Sequence, residues 1–224
     1  MLDIEKLLVE RIFDFFEVWG IPGLSKDPFK ILVATIISQN TSDRNAIEAF
    51  NRLEASIGVS PFKIADADLS SIVEAIKPAG LYSRKAKTIK EVAEVIVKEY
   101  GGSLQKILEM PLEKARRTLL RIPGIGYKTA DVLLLFCGNK PVIPVDTHIR
   151  RVSIRLGLVD EKADYETIRK RLEEIFPRDK FFEAHVSMIM FGRKICKAAK
   201  PLCDKCPFKE YCKHHLSMRR KNCS

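Results

Sequence analysis

The chain has 224 residues, 46% hydrophobic and 30% charged, with a formal net charge of +10 and a pI near 9.3. This balance excludes a disordered or low-complexity chain and leaves room for one large domain or two small ones with a buried core. No apolar run reaches the roughly 18 residues of a membrane span, and no basic-then-apolar leader opens the chain, so a cytosolic protein without a membrane partner is expected.

The charge is uneven. Residues 1–20 hold two basic and five acidic side chains, whereas residues 190–224 hold ten basic and two acidic. A basic segment of this kind suits a polyanion, and nucleic acid is the commonest one. A merely soluble basic protein would read the same way on charge alone.

Taken in order, the elements are helical. A break at Gly20-Ile21-Pro22-Gly23 follows the N-terminal helix. Residues 29–39 form an apolar run that ends in the polar cluster Ser38-Gln39-Asn40-Thr41-Ser42-Asp43, and helix formers resume over 44–55. Residues 85–100 set Ile89, Val92, Ala93, Ile96, Val97 and Tyr100 at steps of three and four, the stripe of an amphipathic helix. Gly101-Gly102 stops it. Residues 104–120 are helical around Pro111, which fits the first turn of a second helix. Residues 127–137 are apolar nearly all round, so that helix is expected to be buried, with Cys137 in the core. Gly138-Asn139-Lys140-Pro141 is the clearest linker. Two more helices, 164–176 and 180–193, are divided by Pro177. Strand-like alternation with hairpin turns is absent, so the expected fold class is all-α.

Three segments carry chemistry. The first is the hairpin at 119–130, Leu-Leu-Arg-Ile-Pro-Gly-Ile-Gly-Tyr-Lys-Thr-Ala. Gly124 and Gly126 permit positive φ and remove Cβ atoms, and the amides opening the next helix add positive potential. Together they would make a site for a phosphate that reads backbone and not sequence. An ordinary αα turn often contains glycine too. Lys128 sits at this helix start, and without further context it would be a solvated lysine.

The second segment is Ile143-Pro144-Val145-Asp146-Thr147-His148-Ile149. Asp146 ahead of a helix reads first as an N-cap. The third is the C-x6-C-x2-C-x5-C set Cys196, Cys203, Cys206 and Cys212, with Lys194, Lys197, Lys200, Lys205 and Lys209 interleaved. Four thiolates within seventeen residues can wrap one metal centre. Zinc is the generic candidate, although structural zinc sites usually pair two short knuckles. Cys137 and Cys223 fall outside this set.

The strings Pro-Gly-Ile-Gly-x-Lys-Thr-Ala and Val-Asp-Thr-His-Ile, together with the cysteine spacing, resemble the endonuclease III branch of the helix-hairpin-helix DNA glycosylase superfamily. The likeness covers roughly residues 20–215. It implies two helical domains flanking a DNA-binding cleft. One is a six-helix domain at 21–136; the other joins 1–20 to 137–224 and holds a [4Fe–4S] cluster on the four cysteines. Lys128 would be the nucleophile facing Asp146, the essential carboxylate, across the cleft. Desolvation and the positive helix end would favour the neutral amine that attack on C1′ requires. Tyr127 departs from the family, which usually carries Arg or Lys there.

A target base must be flipped out of the stack before it can react. By the resemblance Gln39 or Asn40, with Asn40 the better aligned, fills the gap, and Leu81 or Tyr82 inserts opposite. Polar caps at a helix boundary are the plainer reading of 38–43. His148, Lys197 and Lys200 would contact phosphates. The implied partner is double-stranded DNA with damaged bases or abasic sites, bound by a monomer in a prokaryotic cytoplasm. The implied activity is excision of oxidised pyrimidines followed by β-elimination 3′ to the abasic site. A monofunctional mismatch thymine/uracil glycosylase is the runner-up. A non-catalytic DNA-binding module and an iron–sulfur electron carrier are the readings from other classes.

Overall fold

A computed structural model describes residues 3–17 and 26–222, with side chains through 218. The glycine-proline break at 20–23 lies outside the described residues. Among the described residues there is no strand and there are thirteen α-helices, so the fold is all-α. The chain divides into two compact units, Trp19–Lys140, and Met1–Val18 joined with Pro141–Ser224.

The first unit contains α2 (Pro28–Ser38), α3 (Asp43–Ser56), α4 (Pro61–Asp66), α5 (Leu69–Ala75), α6 (Tyr82–Tyr100), α7 (Gln105–Leu108), α8 (Leu112–Leu119) and α9 (Tyr127–Phe136). α2 is its axis. Asp27 caps its start, with Oδ1 accepting from the Phe29 and Lys30 amides at 2.8 and 3.1 Å, and Pro28 takes the first-turn place where no donor is needed. Every residue from Ile31 to Ile37 is buried, and the helix packs against α3, α6 and α9. α9 is buried from Thr129 to Leu135, as expected of helices apolar all round. Cys137 differs from expectation: it is the half-buried residue that ends α9 and not part of the core. Burial and the nearby Asp27 push its thiol up to about 12. Pro111 also differs, capping α8 from outside because the chain is extended there (ψ 143°).

A buried ion pair lies within this apolar interior. Arg116 on α8 and Asp131 on α9 are 6% and 0% exposed. The guanidinium donates from Nε to Oδ1 at 2.6 Å and from Nη2 to Oδ2 at 3.1 Å. Arg116 also lies over the Tyr127 ring, 5.2 Å from its centroid. The pair therefore spans the two helices that flank the 119–126 turn.

The second unit contains α1 (Asp3–Arg11), the 3-10 turn Ile12–Phe15, α10 (Thr147–Leu156), α11 (Tyr165–Ile175), α12 (Phe181–Lys194) and α13 (Lys213–Asn222). α12 packs on the 3-10 turn and on α10, which also touches α11 and α13. Phe191 of α12 stands edge-on to Phe15 and to Phe208, with centroids 5.1 Å apart in both cases.

Breaking a buried, doubly hydrogen-bonded ion pair by removing one member costs about 3–5 kcal/mol. Asp131→Ala should therefore destabilise the chain by that amount in urea unfolding, and an Arg116→Met, Asp131→Leu double variant should regain most of it. A single-variant loss below about 1 kcal/mol would rule out this role.

Candidate functional site

The hairpin is built on two buried anchors. Ile122 and Ile125 are 2% and 5% exposed, and the Ile125 amide closes the turn on the Ile122 carbonyl at 3.1 Å. Pro123, Gly124, Gly126 and Tyr127 face solvent. Gly124 has φ +83°, and a Cβ there would lie 2.4 Å from Cγ2 of Thr88. The Thr88 rotamer is itself held, because its hydroxyl donates to the Arg84 carbonyl at 3.1 Å. Glycine is thus required twice over at 124.

Gly126 corrects the expectation of positive φ. It is extended, with φ −90° and ψ 177°, and a Cβ there would meet nothing within 4 Å. What Gly126 contributes is an open approach to the start of α9 and no side chain to compete for the first-turn amides. Lys128 is the second residue of that helix and is half-buried.

Asp146 belongs to the other unit. It is the N-cap of α10: Oδ1 accepts from the Ile149 amide at 2.8 Å, so the plain capping reading holds. The extended segment leading to it makes no regular ladder. Its backbone groups are bonded by side chains instead. The Ile143 amide donates to Glu173 at 3.1 Å and the Val145 amide to the Tyr165 hydroxyl at 3.2 Å, both on α11. The Pro144 carbonyl accepts from Nδ1 of His185, on α12, at 2.9 Å. A carbonyl can only accept, so Nδ1 carries the proton. His185, for which the sequence offered no role, is thus a buried bracket two residues from Asp146. His148 is half-buried, with Nδ1 3.1 Å from Nη2 of Arg151. Burial lowers its pKa, and Arg151 and Arg193 act in the same direction against Asp146.

The four cysteines are neighbours, and none is in a disulfide. Their environment opposes the charged thiolate. Burial first, and then the other three sulfurs, push Cys206 up to about 11; Cys212 is raised by burial and by Cys196 and Cys203. Among the described residues no three His, Cys, Asp or Glu side chains converge as ligands of a single ion do. The loop is tied down by two arginines one turn apart on α10. Arg151 donates to the carbonyls of Cys196 and Gly192, both at 2.9 Å. Arg155 donates to those of Lys197 and Ala198 at 2.7 and 2.8 Å, and its Nη1 lies 3.7 Å from the Cys196 sulfur. Lys197 and Lys200 are exposed. Next to this loop, Arg150, Arg151, Arg155 and Lys213, against the single acid Glu161, line a groove of net positive charge.

In the first unit, Gln39, Asn40, Leu81 and Tyr82 are all exposed. Asn40 and Leu81 have φ +53° and +47°, the left-handed region that a leucine rarely enters. One residue that the sequence reading passed over connects their two loops. Lys85 is 5% exposed, and its ammonium donates to the Ile37 carbonyl at 2.8 Å, the Thr41 hydroxyl at 2.6 Å and the Ala79 carbonyl at 2.9 Å. The signal was present in the sequence: Lys85 stands four residues before Ile89 on the apolar stripe of α6.

Residues 33–178 match the family model of HhH-GPD superfamily base excision DNA repair proteins. The chain is 42% identical over 195 residues to the endonuclease III of Sulfolobus acidocaldarius, covering 87% of this chain and 85% of that one. It is 36% identical to the endonuclease III of Thermotoga maritima, covering 84% of each. Among solved structures it is similar to a trapped endonuclease III–DNA covalent intermediate, with a TM-score of 0.84, 28% identity and 98% of this chain covered against 100% of that one. It is equally similar to a non-covalent endonuclease III–DNA complex (TM-score 0.84, 29% identity, the same coverage).

The two hairpin glycines should respond differently to alanine. Gly124→Ala forces both a left-handed alanine and a clash, and should cost about 1–3 kcal/mol, with part regained by Thr88→Ser. Gly126→Ala should unfold at the wild-type midpoint. Equal thermal midpoints for the two alanine variants would contradict this account.

Proposed function

The chain belongs to the HhH-GPD superfamily of base excision DNA repair proteins, in its endonuclease III branch, and from that membership we propose the lesion, the catalytic residues and the cofactor. The enzyme is a bifunctional DNA glycosylase and AP lyase. The proposed substrate is double-stranded DNA with an oxidised pyrimidine, bound by a monomer in the cytoplasm. The proposed domains are the hairpin domain at 21–136, in which eight helices are described where six were expected, and the cluster-bearing domain of 1–20 with 137–224. The observation that carries the reading is the hairpin itself: a turn in which glycine is obligatory at 124 and the approach is open at 126, delivering Lys128 on the first turn of α9.

The Lys128 amine attacks C1′ of the damaged nucleotide as the N-glycosidic bond breaks, and the base leaves with that electron pair. Loss of a proton from the attached nitrogen and opening of the sugar ring give a Schiff base. Removal of a C2′ proton then expels the 3′ phosphate, which is β-elimination. Asp146 is the carboxylate that stabilises positive charge developing on the sugar and assists proton transfer. Capping α10 occupies Oδ1 and fixes the side chain for that work. Gly124, Gly126 and Tyr127 contact the backbone, and His148, Lys197 and Lys200 contact phosphates.

Cys196, Cys203, Cys206 and Cys212 hold a [4Fe–4S] cluster. Half-buried sulfurs that raise one another's pKa are poor thiolates unless a cationic centre offsets them. Tetrahedral zinc is the rival centre for four thiolates; the C-x6-C-x2-C-x5-C spacing shared with the family is what favours a four-iron cluster. When bound, the cluster organises the loop, and the Arg151 and Arg155 bonds hold the same backbone.

Borohydride trapping tests the lyase assignment. Wild-type enzyme with a duplex bearing one thymine glycol should give a covalent adduct, and Lys128→Ala should give none. Base loss without an adduct in the wild type would refute the lysine mechanism and point to water activated at Asp146. For the cofactor, protein purified without oxygen should contain iron and acid-labile sulfide in equal amounts, and Cys206→Ser should lose both. A colourless, zinc-containing preparation would end the cluster reading.

A further inference from the structure

We propose that Lys85 is a positioning residue that staples the two gap-filling loops, 38–42 and 79–82, into one rigid device for base extrusion. The proposal rests on the reading of Gln39 or Asn40, and Leu81 or Tyr82, as the residues that fill the vacated stack, and takes from each pair the one with positive φ, Asn40 and Leu81.

The ammonium has three N–H donors and uses each on a different neutral acceptor. The Ile37 carbonyl belongs to the last turn of α2, whose terminal carbonyls have no intrahelical partner. Two of its neighbours are satisfied locally, Thr35 by the Ser38 hydroxyl at 2.9 Å and Ile36 by the Gln39 amide at 3.3 Å. Ile37 is satisfied from α6, by Lys85. The Ala79 carbonyl ends the 3-10 turn Lys77–Ala79 just before Gly80 and Leu81. A cation placed against both helix ends interacts with the negative poles of both.

The Thr41 hydroxyl completes the link. It accepts from Lys85 and donates to the Ala79 carbonyl, so that the first loop is bonded directly to the second. The Lys85 backbone amide bonds the Leu81 carbonyl at 3.1 Å while its side chain holds Ala79. One residue thus fixes the second loop at two points and the first loop at two more.

The arrangement also accounts for the backbone. Asn40 lies between Ile37 and Thr41, and Leu81 lies between Ala79 and the Lys85 amide. These are two of the three non-glycine residues with positive φ among the described residues. Strain of this kind persists only where surrounding bonds over-determine it. Leu81 is 61% exposed, so burial does not account for its conformation, whereas the bonds on either side do. A large apolar side chain held out in solvent on a fixed backbone is suited to entering a base stack.

The test compares extrusion with chemistry. Lys85→Met keeps the length of the side chain and removes the three donors. On a duplex with one thymine glycol beside 2-aminopurine, the stopped-flow fluorescence rise that reports unstacking should slow, and single-turnover excision should fall by up to about 100-fold, the scale for small misplacement. Cleavage of a preformed abasic site, which has no base to extrude, should fall far less. Lys85→Arg should restore part of the excision rate. Wild-type fluorescence and excision in Lys85→Met overturn the proposal, as does an equal fall in excision and abasic-site cleavage, which would mark a merely structural lysine. If Lys85→Met does not fold, Thr41→Val decides: slowed excision with intact abasic-site cleavage supports the staple, and a wild-type rate overturns it. Asn40→Gly and Leu81→Gly separate the two layers of the argument. Unchanged fluorescence in both sinks the gap-filling reading itself, while a change there with none in Lys85→Met sinks only the staple.

Discussion

The buried Arg116–Asp131 pair is the constraint on which the hairpin depends. The turn at 120–126 is short and largely exposed, and carries two glycines, the residues least able to hold a fixed conformation. Its geometry must be imposed from the helices on either side. Apolar packing alone tolerates some sliding of α8 against α9, because dispersion contacts are individually weak and non-directional. A bidentate guanidinium–carboxylate pair does not, since both N–H···O bonds must align at once. With Asp131 fully enclosed, any slippage would misalign both bonds of a buried pair, at a cost of several kcal/mol. The pair therefore sets a register more than it adds stability. Arg116 over the Tyr127 ring carries that register to the first residue of α9, one position before Lys128.

The same solution recurs along the irregular backbone of the proposed site. The segment before Asp146 has no ladder partner, and Glu173, Tyr165 and His185 supply its hydrogen bonds from two helices. The cysteine loop is bonded by Arg151 and Arg155 from α10. The loops at 38–42 and 79–82 are bonded by Lys85 from α6. In each case a long polar side chain on a regular helix satisfies backbone groups of a segment that cannot satisfy its own, as buried or half-buried backbone must be satisfied somewhere. The helices are thus both the core and the scaffolding for the irregular segments.

This division explains what could be read in the sequence. α2 and α9 were legible because a helix apolar on all sides has few places to go but the interior. The Asp146 cap was legible because capping is local chemistry. The family was legible because three short strings each combine rare residue types at fixed spacing. By contrast α4 and α5 are short and carry too little periodicity, and their start signals (Ser60-Pro61 and Asp68) were overlooked among turn residues. α13, Lys-His-His-Leu-Ser-Met-Arg-Arg-Lys-Asn, has no apolar stripe to read and forms where it packs on α10. Gly126 was misjudged because sequence shows that a residue is glycine but not which of its freedoms the fold uses.

Lys85 and His185 mark the deeper limit. A lysine in an amphipathic stripe and a histidine in an apolar helix both read as compromises within their own elements, since the groups they bond lie 48 and 41 residues away in sequence. Their function is defined only after the chain has folded and the unsatisfied carbonyls of other elements have arrived beside them. A polar residue out of pattern on a buried helix face is therefore better read as the donor to a backbone group not yet located than as noise in the periodicity. The cost of burying the charge is what makes the inference sound: an ammonium without acceptors would not be retained in an interior position, so its presence on the stripe already implies carbonyls or hydroxyls within about 3 Å of where the fold will place it.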